Sequence, residues 1–222
     1  PLLAILELCG IPAEDRKDFF EWTNTMMFNQ DPEMAISEEQ AQLASINVIT
    51  YAMKLAEQHK NNPKNDIIGA LLNGKGKEAG LSDEEFVWFF LMLIAAGNES
   101  TRTVTSHGMR LLMEHPDQLQ YLVDHPERIP DACEEILRYN TAFILMRRTA
   151  MEDVELAGHR IGKGDKIILH YHTVNHDERI FGDAAMDFDV RRAERMPDLY
   201  NQHRSFGIGQ HFCLGTHLAR LE

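Results

Sequence analysis

Ser205-Phe206-Gly207-Ile208-Gly209-Gln210-His211-Phe212-Cys213-Leu214-Gly215 is the stretch whose reading decides the fold. It sets one cysteine between a glycine-rich loop and Leu214-Gly215-Thr216-His217-Leu218-Ala219-Arg220-Leu221, an amphipathic run that reads as the start of a helix. A cysteine at such a junction meets unpaired backbone N–H groups and the positive end of the helix dipole, surroundings that suit a negatively charged sulfur. Gly207 and Gly209 permit positive φ, so the loop can curl around the sulfur and aim N–H groups at it. Gly215 leaves the surface beside the sulfur bare, room for a flat ligand to lie against it. His211 is placed to donate a hydrogen bond to an anionic group at that ligand's edge, and Phe206 to pack beside the sulfur. Two other readings stay open on the residues alone: a buried core cysteine, and a metal site using Cys213 with His211, His217 or His203. His217 stands four residues from Cys213, a plausible ligand spacing.

The pattern Phe206-x-x-Gly209-x-His211-x-Cys213-x-Gly215 resembles the haem-binding signature of the cytochrome P450 family. The resemblance implies a mainly α-helical fold with small β-sheets. It implies haem b (iron protoporphyrin IX) as cofactor, with Cys213 as the axial ligand of the iron and Phe206, Gly207, His211 and Gly215 shaping the cofactor's near side. It covers nearly the whole chain, but roughly the central half of a typical family member. The chain opens at Pro1 inside an apolar helical run and stops soon after Cys213, so both ends read as cut. Residues 1–222 are therefore expected to form part of a single P450 domain, truncated at both termini.

Composition agrees with a globular protein: 222 residues, 44% hydrophobic and 26% charged. A net charge of −13, from 35 acidic and 22 basic residues, opposes nucleic-acid binding, which relies on Lys and Arg neutralising phosphates. The longest apolar run, Phe86 to Ala96, falls well short of the roughly 20 residues of a membrane span. Cys9, Cys133 and Cys213 are too widely spaced for a disulfide framework, and a reducing cytoplasm is the default expectation.

Pro1 to Cys9 reads as a helix closed by Gly10, Pro12 to about Phe28 as a second, Ser37 to His59 as a third and Asp66 to Asn73 as a short fourth. Gly74-Lys75-Gly76-Lys77 reads as a surface loop lacking the rest of a phosphate-binding pattern. Ser82 and Glu85 form a capping box. From it a helix pattern runs to Glu114-His115-Pro116, roughly 33 residues and about 50 Å. Its first part is apolar on nearly all sides, the pattern of a buried central helix.

Ala95-Ala96-Gly97-Asn98-Glu99-Ser100-Thr101 interrupts that pattern with poor helix formers, and a broken rule inside a core element marks a functional site. The segment resembles the oxygen-binding part of the family's long helix. The resemblance implies that Ala96 and Gly97 open a groove for O2, while Glu99 (acid) and Ser100 (alcohol) deliver protons. The family most often carries Thr where Ser100 stands; serine keeps the hydroxyl but loses the methyl that restricts its rotamer.

Asp131 begins a further helix in which Glu135 and Arg138, at i and i+3, can pair. Such a pair is common by chance, but the resemblance implies that this one anchors the fold, completed by Arg192 after Phe188, with Arg191 a rival. Phe143 to Ala150, Asp153 to Ile161 and Lys166 to His170 read as strands, the last two joined by the Gly162–Asp165 turn. By the resemblance, Arg148 grips a haem propionate, a bidentate guanidinium–carboxylate pairing. Ile144 and Met146 then line the substrate cavity with Met92, Ala95 and Ala96. His170, His172 and His176 read as surface or packing residues rather than a metal cluster, and Asn175-His176-Asp177-Glu178 resembles the family's polar turn.

The activity so implied is a monooxygenase that hydroxylates a hydrophobic small molecule (a sterol, terpenoid or alkyl chain) with O2. Its electrons would come from a ferredoxin- or flavodoxin-type donor, and the protein would act as a cytoplasmic monomer. A haem-thiolate peroxygenase or rearrangement enzyme, and a haem-binding piece without catalysis, are the alternatives. Retention of both Glu99 and Ser100 argues against the first.

Overall fold

The computed structural model describes residues 1–74 and 80–222, so Lys75 to Lys77 of the glycine-lysine loop lie outside the described residues. The first helices are α1 (Leu2–Leu8), α2 (Arg16–Met27), α3 (Glu38–Asn61), α4 (Ile67–Asn73) and α5 (Asp83–Glu114). α6 (Pro116–Asp124), a 3₁₀ turn (Pro126–Arg128) and α7 (Ile129–Tyr139) follow. Then come strands β1 (Met146–Thr149), β2 (Val154–Leu156), β3 (His159–Ile161) and β4 (Lys166–Leu169). Short helices close the chain: α8 (Tyr171–Asn175), α9 (Glu178–Phe181), α10 (Arg192–Arg195), α11 (Leu199–Gln202) and α12 (Thr216–Leu221). The fold is mainly helical with two small sheets. The chain divides into two compact units, Pro1–Glu99 and Ser100–Glu222, the boundary falling inside α5. Among the described residues no helix is long and apolar enough to cross a membrane.

In the first unit, helices begin where side chains can satisfy their free N–H groups. Ser37 and Gln40 form a capping box on α3, and Ser82 with Glu85 does the same for α5. Pro12–Asp15 forms turns rather than helix, so α2 starts later than its apolar pattern suggests. Phe19 sits at the centre, edge-on to Trp22, Tyr51 and Phe90 at centroid distances of 5.2, 4.9 and 6.0 Å, the arrangement aromatic quadrupoles favour.

One expectation for α5 holds and one is overturned. The helix is continuous through Ala95–Thr101, because packing overrides the weak propensity of Gly97 and Asn98. Asn98 is buried, and its Nδ2 donates to Thr23 Oγ1 at 3.4 Å. The first part, however, is not buried all round: Trp88 and Met92 stand 57% and 58% exposed, with Ala96 on the same face. Phe86, Phe90 and Ile94 carry the buried face.

In the second unit, β1 pairs antiparallel with β4 (Met146 opposite Leu169, Arg148 opposite Ile167) and β2 with β3. Asp153 to Ile161, expected as one strand, is a hairpin of two. Gly162–Asp165 joins strands that are not partners, while the tight hairpin is made at Ala157-Gly158, with φ of 51° and 79°, the backbone a two-residue hairpin turn requires. The first strand is also shorter than Phe143–Ala150, and α7 begins at Ile129 rather than Asp131, with Pro130 in its first turn, where a missing N–H is harmless.

Glu135 and Arg138, both fully buried, lie one turn apart on α7. Arg138 donates through Nε and Nη2 to the two carboxylate oxygens at 2.7 and 2.8 Å. Its remaining donors reach the carbonyls of Asn175, Ala185 and Asp187 at 2.7, 2.8 and 2.9 Å. Arg192 Nε adds a third bond to Glu135 at 2.9 Å, and the Asp189 N–H a fourth, also at 2.9 Å. Arg191 is exposed and lies over the Tyr121 ring, so Arg192 is the arginine in the cluster. Truncating a buried ionic partner costs about 3–5 kcal/mol. Arg192→Ala should lower unfolding free energy in a urea titration by that much, and Arg191→Ala by only about 0.5–1 kcal/mol from its lost ring contact.

Candidate haem-thiolate site

The cysteine loop owes its shape to two left-handed residues. Gly207 and Gly209 have φ of 74° and 69°, conformations that L side chains resist. Between them and the sulfur the chain makes a 3₁₀ turn, Gly209–His211, and the Cys213 N–H donates to the Phe206 carbonyl at 2.9 Å. Gly215 is the N-cap of α12, and a Cβ there would lie 4.0 Å from Cys213 Sγ. The residues brought together here are Phe206, Gly207, His211, Cys213 and Gly215.

The loop is held from α7 and from the residues before it. Ser205 Oγ donates to the Leu137 carbonyl at 2.6 Å. His203, buried, turns Nε2 to Glu134 Oε2 at 2.8 Å and accepts the Ser205 N–H on Nδ1 at 3.3 Å. Arg220 of α12 grips Glu134 with Nε and Nη2 at 2.6 and 3.0 Å, its guanidinium lying over the rings of Tyr200 and Phe206. Burial pushes the Glu134 carboxyl up, but His203 and Arg220 together outweigh it and hold the group below its usual range. A cavity of about 270 Å³ opens beside this network, lined by Tyr200, Phe206, Ile208, Phe212 and Arg220 among others.

These positions fit a flat apolar group with anionic edges. The half-exposed sulfur lies among exposed Ile208, Phe212 and Leu214, a surface a soluble fold ordinarily covers. Among the described residues the Cys213 thiol and the His211 side chain have no hydrogen-bond partner. One of the ligands open to a metal site is engaged elsewhere. His203 is committed to Glu134 and Ser205, and no group of three or more His, Cys, Asp or Glu among the described residues could hold a metal. His170 caps α8 by accepting the Thr173 N–H, while His172 and His176 stack at 4.2 Å, burial pulling His176 below its ordinary pKa.

Elsewhere in the second unit, Arg148 sits exposed in β1, donating to the Arg147 carbonyl at 3.0 Å. Met146 is half-buried and Ile144, 58% exposed, precedes the strand. The Ile144 carbonyl accepts the His172 N–H at 3.2 Å. In the first unit Met92 and Ala96 share the open face of α5, with Ala95 half-buried beside them. Gly97 points elsewhere: a Cβ there would come within 2.2 Å of Ile5 Cδ1. The space beside it is taken by the Ile5 side chain of α1. Glu99 and Ser100 are half-buried on consecutive positions of α5. Sequence reasoning missed Glu134, Arg220 and the anchoring part of Asn175. Glu134 and Arg220 stand 86 residues apart, and no local spacing links them.

Comparison with known proteins agrees. Residues 129–222 match the sequence model of the cytochrome P450 family. The chain is 40% identical to a steroid C26-monooxygenase of Mycolicibacterium smegmatis and 37% identical to a methyl-branched lipid omega-hydroxylase of Mycobacterium bovis. All of this chain aligns, against 49% and 51% of those relatives. CYP109E1 from Bacillus megaterium in complex with testosterone superposes with a TM-score of 0.84 at 31% identity, over 100% of this chain and 58% of that one. A Mycobacterium marinum cytochrome P450 in complex with pseudoionone gives 0.86 at 32%, over 99% and 53%. By sequence and by fold, this chain belongs to the cytochrome P450 family. It spans about half the length of the curated relatives it matches.

The Glu134 anchor makes the second unit acid-sensitive. The folded carboxyl is the stronger acid, so below about pH 4.3 the unfolded chain takes up the proton first. Stability conferred by Glu134 is complete above that pH and fades as pH falls through the lower, folded value. Glu134→Gln should therefore be less stable than the parent at pH 7, and the gap should narrow towards pH 3 in thermal unfolding across that range.

Proposed function

We propose that this chain is part of a haem-thiolate monooxygenase that hydroxylates a hydrophobic small molecule, all of residues 1–222 lying in one cytochrome P450 domain. The observation that carries this reading is Cys213: an unpartnered, half-exposed sulfur in a loop curled by two left-handed glycines and rimmed by apolar side chains. Cys213 Sγ would hold the iron of haem b, His211 and Arg148 would take its propionates, and Phe206, Gly207 and Gly215 would form its near face. Bound there, the haem supplies the activation of O2, and thiolate ligation is what favours O–O cleavage.

The chain's own residues position and exclude. Ala96, one turn before Ser100, offers only a methyl group to the open face of α5, the room that a bound O2 would need. Gly97, packed against Ile5, would keep the adjoining stretch of helix free of a side chain as the second part of that opening. Ser100 Oγ holds a proton at the reacting centre and the Glu99 carboxyl replaces it from solvent. Met92, Ala95, Ile144 and Met146 supply apolar contact and keep water out. A steroid or a branched alkyl chain suits such walls, and the names of the relatives, a steroid C26-monooxygenase and a methyl-branched lipid omega-hydroxylase, favour the same substrate class. Electrons come from a ferredoxin- or flavodoxin-type donor, and the protein works in the cytoplasm as a monomer.

The haem-loaded chain should give the reduced-CO band of thiolate-ligated haem, and Cys213→Ala should lose it; a parent showing only the imidazole-type band would sink the reading. Ser100→Ala should keep haem and substrate binding while sending electrons to peroxide instead of product. Product and peroxide measured per electron pair decide this, and unchanged coupling removes Ser100 from the proton path.

A further inference from the structure

We propose that Asn175 is a positioning residue for the cysteine loop, its carboxamide fixing the peptide that leads into Phe206 and so the direction in which Cys213 is presented. The proposal rests on the haem-thiolate reading above. Asn175 ends α8 and is fully buried. Its Oδ1 accepts the Arg204 N–H at 2.7 Å, and its Nδ2 donates to Ser205 Oγ at 2.9 Å. Its backbone carbonyl accepts from Arg138 Nη1 at 2.7 Å. One residue thus bonds the Glu135–Arg138–Arg192 cluster on one side and two consecutive loop residues on the other.

The chemistry at this position calls for an amide. Serine has a single O–H donor, and Ser205 gives it to the Leu137 carbonyl at 2.6 Å. From residue 175 its oxygen can only accept, which Nδ2 allows and a carboxylate does not. The Arg204 N–H, in turn, needs an acceptor at the same place, which an apolar side chain of equal size lacks. Ser205 adjoins Phe206, whose carbonyl takes the Cys213 N–H. From Arg138 to the cysteine, no step is longer than a hydrogen bond or one peptide unit.

The test uses the full chain loaded with haem, in parent, Asn175→Leu, Asn175→Asp and Ser205→Ala forms. Two readouts are compared: the fraction of thiolate-type band in the reduced-CO spectrum, and amide hydrogen exchange at Arg204, Cys213 and Asp189. The Asp189 N–H reports on the Glu135 cluster, since Glu135 Oε1 accepts it. Losing a buried acceptor in Asn175→Leu should speed exchange at Arg204 and Cys213 about tenfold. Asp189 should be unmoved, and the band should shift from thiolate to thiol type. Asn175→Asp, which keeps the Arg204 acceptor, and Ser205→Ala, the mildest change, should fall between parent and Asn175→Leu. Exchange quickening equally at Asp189 would mean that Asn175 supports the whole unit rather than the loop, and would overturn the proposal. So would a thiolate fraction in Asn175→Leu equal to the parent's. A parent without the thiolate band overturns the haem-thiolate reading itself, an outcome distinct from a parent that has it and variants that keep it.

Discussion

A single carboxylate between two buried guanidinium groups sets the terms for the second half of the chain. Glu135 accepts four hydrogen bonds, and the two arginines around it leave an excess positive charge inside the protein. That charge is tolerable because backbone carbonyls of Asn175, Ala184, Ala185 and Asp187 converge on the guanidinium donors. Desolvating such groups costs several kcal/mol per ion unless every donor and acceptor is matched. The match therefore dictates where residues 175 and 184–189 run. Apolar packing fills in around this frame, with Leu111, Leu122, Ala132, Phe188 and Val190 forming the nearby core.

The cysteine loop adds its own geometry to that frame without being able to hold it alone. Two left-handed glycines bend the loop, but its entry is fastened by side chains from elsewhere: Asn175, His203 aligned by Glu134, and Ser205 on the end of α7. A side chain whose direction matters gains from such remote bracing, because that direction depends on supporting hydrogen bonds as much as on the residue itself. The loop's exposed Ile208, Phe212 and Leu214 make no comparable contribution to folding.

The same division marks α5. Its buried face is aromatic and aliphatic and serves the core of the first unit; its open face carries Trp88, Met92 and Ala96. Large side chains left out of the core on that face form an exposed apolar surface beside a well-packed one. Gly97 belongs to the packing face. It admits the Ile5 side chain to the helix backbone, a packing reason for a glycine in mid-helix.

Much of the architecture was already legible in the sequence, for a local reason. Capping boxes, i, i+3 pairs and apolar periods are written within three or four residues, so Ser82 with Glu85, the extent of α5 and the Glu135–Arg138 pair could be read directly. The cysteine signature is equally local. Contacts between distant segments were decided by the tertiary structure. It chose Arg192 over Arg191 by burying one and exposing the other, and paired β4 with β1 rather than with its neighbour β3. It also turned Gly97 towards α1 and joined Glu134 to Arg220. Adjacent residues of similar chemistry are equivalent to a pattern in one dimension; only burial in three separates them, because an unpaired charge is costly inside the fold and nearly free outside it.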